Sequence, residues 1–427
     1  MQPVGPEAEK LVLVMVGLPA RGKSYTARKV ARYLTWLGYR TRVFNVGEYR
    51  RARFGAKVAH DFFDPENAHG REARRTAAMA ALADLQQWLR RDGDVAIYDA
   101  TNSTVERRAM VRERCTLAGF DVLYLEIFCE DEAQIDATVR ETKLTSPDYA
   151  GVPEATAIAD FRARIAHYER AYEPLQEDEG SYLRVKNRGE HVTAHRVHGY
   201  VASRLGFLLM NLHLNDRPIW LTRHGESMFN VAGLIGGDAD LSPDGQRYAH
   251  SLADHLDACY PDTDALKIWT SSLRRALQTA NPLGRKSTSW RALDEIDAGV
   301  CDGMSYAQIE AEMPDEYAAR QHDKFTYRYP RGESYVDVIH RLDPVIIEIE
   351  RVRRPVLVIA HQAVLRALYA YFMGVEPERC PHLPIPLHTV IKLTPHAYGC
   401  HEERVPLEPN TAASGTGGDR ASRHASQ

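Results

Sequence analysis

The chain has few cysteines, and none is spaced to act with another. Six thiols in 427 residues (Cys115, Cys129, Cys259, Cys301, Cys380 and Cys400) are scattered without a CxxC pair. That pattern excludes a zinc-ribbon type of site and a disulfide scaffold, and it leaves free thiols in a reducing cytoplasm as the expectation. Long hydrophobic runs are also lacking, which excludes an ordinary membrane span. Residues 11–20 after Lys10 have the outline of a signal peptide, but cleavage near Ala20 would destroy the first motif described below, so a buried strand is expected instead. A basic excess is absent too: the net charge is −4. That weighs against nucleic-acid or membrane-surface partners and leaves small anions, which need only a local cluster of Arg and Lys. What is present is a globular composition, 44% hydrophobic and 26% charged, long enough for two domains with their own cores.

The apolar runs alternate with helical patterns, which predicts an α/β fold with mostly parallel sheets. In the first half the expected strands are 11–17, 41–47, 94–101 and 121–129, separated by helical segments. NLHLNDRP at 211–218 breaks the pattern and marks the expected domain boundary. The alternation then restarts with strands at 218–225, 265–272 and 355–361. From about Pro409 the chain is small, polar and Gly/Ser-rich, the composition of a disordered tail.

Gly17-Leu-Pro-Ala-Arg-Gly22-Lys23-Ser24 fits GxxxxGK(S/T), with an apolar strand leading in and a helix leading out. Glycines let backbone N–H groups turn inward around phosphate oxygens, and the helix N-terminus adds a favourable dipole. Lys23 can neutralise β- and γ-phosphates, and Ser24 can ligate Mg²⁺. A ligand-free strand–helix turn is the plainer alternative, and the placement between strand and helix counts against it. Asp99, in YDATN after the apolar DVAIY, is placed at the same sheet edge. Arginines abound nearby, but helical Arg residues are mostly solvated surface, so periodicity does not select among them.

Leu221-Thr-Arg223-His224-Gly225-Glu226 follows the first strand of the second half. An imidazole there can attack phosphorus and hold it covalently, with Arg223 on the phosphoryl oxygens. Arg275, Glu295 and His361 each follow a predicted strand or open a helix, so they can converge on one edge as further cations and a proton donor. Among 18 histidines, one at a strand end is more often structural; the RHGE context lifts His224 above that expectation. The surrounding arginines favour an anion pocket over a metal site.

With both motifs in this order, the chain resembles the bifunctional 6-phosphofructo-2-kinase/fructose-2,6-bisphosphatase family. GLPARGKSY, FNVGEYRR, YDATNST, KLTSPDY, RHGES, LIGGD, EIDAGVC, YRYPRGESY, AHQAVLR and PLHTVIKLTP all look like family segments, spread over roughly residues 10–400. The resemblance implies an N-terminal P-loop kinase domain (1–215), a C-terminal α/β histidine phosphatase domain of phosphoglycerate-mutase-like fold (216–405) and a tail (406–427). It implies ATP and Mg²⁺ as cofactors, sugar phosphates as substrates, a cytoplasmic setting and a homodimer.

Laid onto residues, the resemblance implies that Gly17, Gly22, Lys23, Ser24 and Tyr25 serve ATP, with Ser24 on Mg²⁺. Asp99 and Lys143 would be catalytic in the kinase, Lys143 stabilising the transferring phosphoryl group. Arg50, Arg74, Thr101, Arg107, Lys143, Arg164 and Tyr168 would hold fructose 6-phosphate. In the phosphatase, His224 would take the 2-phosphate and Glu295 would protonate the leaving oxygen, with Arg223, Arg275 and His361 balancing charge. Asn230, Gly236, Tyr306, Arg320, Lys324, Tyr335, Gln362 and Arg366 would hold the rest of the bisphosphate. Two positions depart from the pattern: Leu234 stands where an Arg is common, and Thr138 where an Asn is common near the nucleotide. Competing expectations are a kinase-phosphatase acting on polynucleotide ends and a catalytically silent sugar-phosphate sensor. Net charge disfavours the first, and the intact Lys23, Asp99, His224 and Glu295 disfavour the second.

Overall fold

The computed structural model describes residues 10–56, 58–142, 147–212, 217–396 and 399–407. Lys143, the expected boundary at 215/216 and the tail from 408 lie outside them. The first half runs β1 (Leu11–Val16), α1 (Lys23–Trp36), β2 (Thr41–Asn45), α2 (Val46–Phe54), α3 (Ala68–Arg91), β3 (Val95–Asp99), α4 (Val105–Leu117), β4 (Asp121–Phe128), α5 (Glu132–Thr142), α6 (Glu154–Arg170), β5 (Tyr182–Lys186), β6 (His191–His195) and α7 (Tyr200–Asn211). All six residues of β1 are buried, as a strand covered by helices on both faces requires. The sheet order is β2-β3-β1-β4-β5-β6, parallel except for β6. Val14 pairs with Tyr98, so the loop after β1 and Asp99 at the end of β3 open at one edge. The expected strand at 41–47 stops at Asn45, whose side chain accepts from Glu48 N–H and starts α2.

The second half runs β7 (Ile219–Arg223), α8 (Met228–Ala232), α9 (Pro243–Cys259), β8 (Lys267–Thr270), α10 (Arg274–Ala280), β9 (Ser287–Ser289), α11 (Tyr306–Glu312), α12 (Pro314–His322), α13 (Tyr335–Arg351), β10 (Val356–Ala360), α14 (Gln362–Met373), β11 (Thr389–His396) and β12 (Gly399–Pro406). Its sheet order is β12-β11-β7-β10-β8-β9, with β11 and β12 antiparallel to their neighbours. Central β7 and β10 are parallel and end side by side, Ala360 opposite Arg223, which brings His224 and His361 to one edge. No helix among the described residues is long and apolar enough to cross a membrane.

The two halves share a core. Val30, Tyr33, Leu34 and Trp36 of α1 belong to the same buried cluster as Leu342 and Ile346 of α13 and Tyr371 and Phe372 of α14. Trp36 donates to the Ala367 carbonyl at 2.9 Å and meets Tyr371 edge-on, ring centres 5.6 Å apart. Glu350 lies buried at this seam. It bonds Lys29 at 2.6 Å and accepts from Tyr371 at 2.8 Å, with Arg32 at 3.6 Å. Burial alone would raise its carboxyl, but Lys29, Arg32 and Arg217 outweigh that and hold it below the ordinary carboxylate range. Glu350→Ala leaves those cations buried without their anion. It is expected to cost about 3–5 kcal/mol of stability in a denaturant titration; an unchanged midpoint would show that the seam contributes nothing.

Candidate active sites

The first site is the loop between β1 and α1. Gly17 takes φ 133°, and a Cβ there would lie 2.3 Å from the Ile127 carbonyl oxygen, so only glycine lets the loop leave the sheet against β4. Gly22 caps α1 at φ 89°, and Ala20 also sits in the left-handed region, a strained placement of the kind that gathers at ligand loops. Lys23, 8% exposed, reaches back to the Leu18 carbonyl at 2.5 Å. Gly17 N–H donates to the Thr101 carbonyl at 3.0 Å, which ties the cradle to the YDATN segment. Asp99, 4% exposed, accepts from Asn45 at 2.5 Å. Ser24 opens α1 beside Lys23. Tyr25 behaves differently: its ring has the Lys29 ammonium 5.6 Å from its centre and lies in the field of Arg217, on the interface side of α1.

Beyond Asp99, three of the expected sugar-phosphate arginines gather around Phe63. Arg164 lies 3.6 Å above its ring, Arg50 5.6 Å from its centre, and Tyr168 packs at 6.0 Å. Arg74, on α3, donates to the Phe62 carbonyl. Asp148 links the cluster: both its oxygens accept from Arg50, at 2.8 and 2.6 Å, and one accepts from Arg164 at 3.4 Å. Burial lowers Arg50 and Arg74 from the usual guanidinium range. Arg107 hangs instead on the Tyr98 hydroxyl at 2.9 Å, which in turn donates to Ala78, one helical turn from Arg74.

The second site lies at the ends of β7 and β10. Gly225 and Gly245 are pressed together: a Cβ on Gly225 would lie 2.4 Å from the Gly245 carbonyl oxygen, and one on Gly245 would lie 2.1 Å from the Glu226 carbonyl oxygen. This close approach seats the RHGE loop on the N-terminus of α9. His224 is 3% exposed. Its Nδ1 lies 2.6 Å from the Gly225 carbonyl and must carry the proton, which leaves the Nε2 lone pair to accept from Arg275 Nε at 3.1 Å. Burial, then Arg275 and Arg223, push this imidazole well below the usual value, so it is neutral and nucleophilic at ordinary pH. The His361 ring lies 5.0 Å away, fully buried, and is also held well below the usual imidazole value by burial, then by His224 and Arg275. Glu295 accepts from the N–H groups of Ile296, Gln362 and Ala363 at 2.9, 3.1 and 3.2 Å, which fixes the carboxylate at the N-terminus of α14. Arg223 is pulled down to about 10 by burial, against the opposing pull of Glu295. Glu295 also acts on Arg275, so one carboxylate faces both guanidinium groups that flank His224.

Outside this centre is a second cationic group. Arg320 donates to Tyr329 at 2.9 Å and Tyr306 at 2.8 Å; Arg366 donates to Tyr335 at 3.2 Å. Lys324 is lowered to about 8 by burial and by Arg320 and Arg366, so these three cations lie close enough to act on one another. Gln362 takes part through its backbone on Glu295. Gly236 is packed against Asp302, and Arg275 holds the next carbonyl, Gly237, at 2.7 Å. Asn230 spends its carbonyl on Ser227 N–H at 2.9 Å, capping α8. Leu234 pairs by backbone with Ser305, and the Thr138 hydroxyl donates to Gln134 within α5.

Several members of these sites escape sequence reasoning. His361 Nε2 meets the Ser271 hydroxyl at 2.7 Å, and that hydroxyl donates to Asp294 at 2.8 Å. The carboxylate only accepts, so Ser271 donates to it and accepts from the His361 Nε2–H, which leaves Nδ1 bare. Thr279 accepts Gly225 N–H at 2.9 Å, and His388 accepts Glu226 N–H at 3.2 Å. Asp294 beside Glu295, and Asp148 inside KLTSPDY, were the available signals.

Residues 2–216 match the 6-phosphofructo-2-kinase family, and residues 219–406 match branch 1 of the histidine phosphatase superfamily. A chicken 6-phosphofructo-2-kinase/fructose-2,6-bisphosphatase is 47% identical over 92% of this chain and 84% of its own length. The chain belongs to the bifunctional 6-phosphofructo-2-kinase/fructose-2,6-bisphosphatase family. A human form 4 of that name is 46% identical over 96% of this chain and 87% of its own. An Arabidopsis relative of the same name is 47% identical over 95% of this chain, which spans only 55% of that longer protein. The two α/β halves thus carry a kinase domain and a histidine phosphatase domain, the order in which the two motifs occur. The kinase domain implies the use of ATP.

Proposed function

We propose that this chain phosphorylates fructose 6-phosphate at the 2-position with ATP and hydrolyses the resulting fructose 2,6-bisphosphate at the same position. The observation that carries the reading is the pairing of two anion sites in one chain: a backbone cradle with Lys23, and a neutral imidazole whose Nε2 is held 3.1 Å from Arg275. In the kinase, Lys23 and the cradle N–H groups hold the triphosphate. Asp99 stands at the adjoining strand end. Arg50, Arg74 and Arg164, with Thr101, Arg107 and Tyr168, hold the sugar phosphate, and Lys143 steadies the moving phosphoryl group, as the family resemblance supports. Ser24 and Asp99 offer a hydroxyl and a carboxylate, the oxygen donors that Mg²⁺ takes. The ion, when bound, supplies positive charge against the phosphates.

In the phosphatase, His224 Nε2 attacks the 2-phosphoryl phosphorus while Arg223 and Arg275 take its oxygens. The bond to the sugar oxygen breaks, and Glu295, entering this step as the carboxylic acid, gives that oxygen its proton and becomes the carboxylate. The Glu295 carboxylate then takes a proton from water, whose oxygen attacks the phosphohistidine and releases phosphate. His361, its Nδ1 buried and bare, takes a proton from solvent as the bisphosphate enters and donates that N–H to the phosphoryl oxygens. Asn230, Gly236, Tyr306, Arg320, Lys324, Tyr335, Gln362 and Arg366 hold the remainder of the sugar bisphosphate.

Asp294 orients this centre through Ser271. Asp294→Asn is expected to lower phosphatase kcat about 10²-fold, with the kinase unchanged; equal phosphatase rates would remove Asp294 from the account. The reading also places the enzyme in the cytoplasm as a homodimer, for which light scattering should return twice the chain mass.

The test of the function is direct. Incubation with ATP and fructose 6-phosphate should yield an acid-labile sugar bisphosphate, and a 5′-hydroxyl oligonucleotide should stay unphosphorylated. The reverse result would move the protein to polynucleotide ends, and no turnover of either would make it a sensor.

A further inference from the structure

Phe63 and the Phe62 carbonyl, which back Arg164 and Arg74, belong to a short turn, residues 60–63, between α2 and α3. Something must hold that turn against α6, where Arg164 and Tyr168 reside. Two contacts do so. His60 N–H donates to Asp160 at 3.1 Å, and the His60 ring meets the His167 ring, Nδ1 to Nε2, at 3.1 Å. The rings are nearly coplanar, tilted by 18°. His167 directly precedes Tyr168. Its other nitrogen lies 2.5 Å from Arg170 and 3.3 Å from Asp64, the residue that ends the turn. Arg170 also bonds Asp64, at 3.2 Å.

We propose that His60 and His167 are positioning residues of the sugar-phosphate pocket, and that their ring-to-ring hydrogen bond clamps Phe63 under Arg164 and the Phe62 carbonyl against Arg74. The inference rests on the proposed kinase reading of that pocket. A bond between two imidazole nitrogens needs one donor and one acceptor. It forms with both rings neutral or with one charged. It fails when both are charged, because two N–H groups then face each other and the like charges repel. The surroundings do not remove that conflict. Asp64 offsets one charge at His167, but Arg170 sits against the same nitrogen, Asp160 is already engaged by His60 N–H and by Tyr149 at 2.7 Å, and Arg74 of α3 and Arg164 of α6 hold Phe62 and Phe63 of the same turn. Two charged rings cannot share the bond, so the clamp opens only where acid has charged both. Loss of the clamp frees the turn and weakens the hold on the sugar phosphate, which raises KM more than it lowers kcat.

The experiment compares the full-length wild type with His167→Gln and His167→Ala. Glutamine keeps a neutral donor and acceptor but cannot charge. Kinase KM for fructose 6-phosphate is measured at about pH 7.5 and about pH 5.0. The wild-type KM should rise on acidification about fivefold more than that of His167→Gln, a comparison that cancels the titration of the substrate itself. His167→Ala should show a raised KM at both pH values. Phosphatase rates on the same preparations report that the fold is intact. Amide exchange of residues 60–64, corrected for the intrinsic pH effect, should quicken at the lower pH in the wild type and not in His167→Gln. Equal KM ratios in wild type and His167→Gln, or a loss confined to kcat, would overturn the clamp. If fructose 6-phosphate is not phosphorylated at all, the functional reading fails, and the exchange comparison still decides the clamp: equal exchange in the two proteins overturns it.

Discussion

His224→Ala abolishes release of the 2-phosphate, with an expected loss of at least about 10³-fold, because the atom that accepts the phosphoryl group is gone. The argument is positional as well as chemical. His224 Nε2 has its lone pair aimed at Arg275 Nε, 3.1 Å away, and the ring proton stays on Nδ1, which donates to the Gly225 carbonyl. Burial and the flanking arginines keep the ring neutral, so no proton must be removed before attack. Water in its place is a far weaker nucleophile, although Arg223, Arg275 and the outer cations remain for the proposed hold on the sugar bisphosphate. Binding should therefore survive where turnover does not. Kinase rates should stay within about twofold, since the cradle lies on another sheet and distant sites act additively. Initial rates of both reactions on one preparation check this; phosphatase activity above a tenth of wild type would remove the covalent step.

Lys23→Ala should do the opposite. The ammonium is the cation built into the cradle, and it donates to the Leu18 carbonyl. Its removal takes positive charge from the β- and γ-phosphates as charge moves between them, which should cost the kinase about 10³-fold. The phosphatase should stay within about twofold. The shared core makes this a sharp test, because α1 carries Lys23 at its start and docks on α13 and α14 through Lys29, Tyr33 and Trp36. Lys23 lies in the turn before that contact, so its side chain can be removed without opening the seam. Loss of both reactions in a well-folded Lys23→Ala protein would mean that the two sites are not separate.

Much of this was legible in the sequence. LVLVMV and VLVIA can only be strands covered on both faces, and a ligand motif directly after such a strand is placed at the sheet edge by topology alone. That brought Gly17, Lys23 and Asp99 together in one site, and His224, Arg275, Glu295 and His361 in the other. The β5–β6 pair was not legible, because HVTAH is a short edge strand with little apolar signal. The antiparallel β11 and β12 escaped for a similar reason: EERVP is half polar and exposed. The seam was hidden differently. Lys29 and Arg32 recur on α1 as a solvated face would, and Glu350 in EIERVR reads as surface, yet they bury one another. Tyr25 follows Ser24 in the motif, but the helical turn carries its ring towards Lys29. Ser271, Asp294 and His388 act through other residues, and such second-hand roles leave no spacing to detect.

The measurement that bears most directly on the two-pocket account is a rapid-quench reaction with fructose 2,6-bisphosphate radiolabelled on its 2-phosphate. Label should appear within one turnover as acid-labile, alkali-stable phosphate on the peptide that contains His224, in the wild type and equally in Lys23→Ala. Label on another residue, or phosphate release with no labelled protein at any time, would contradict the account.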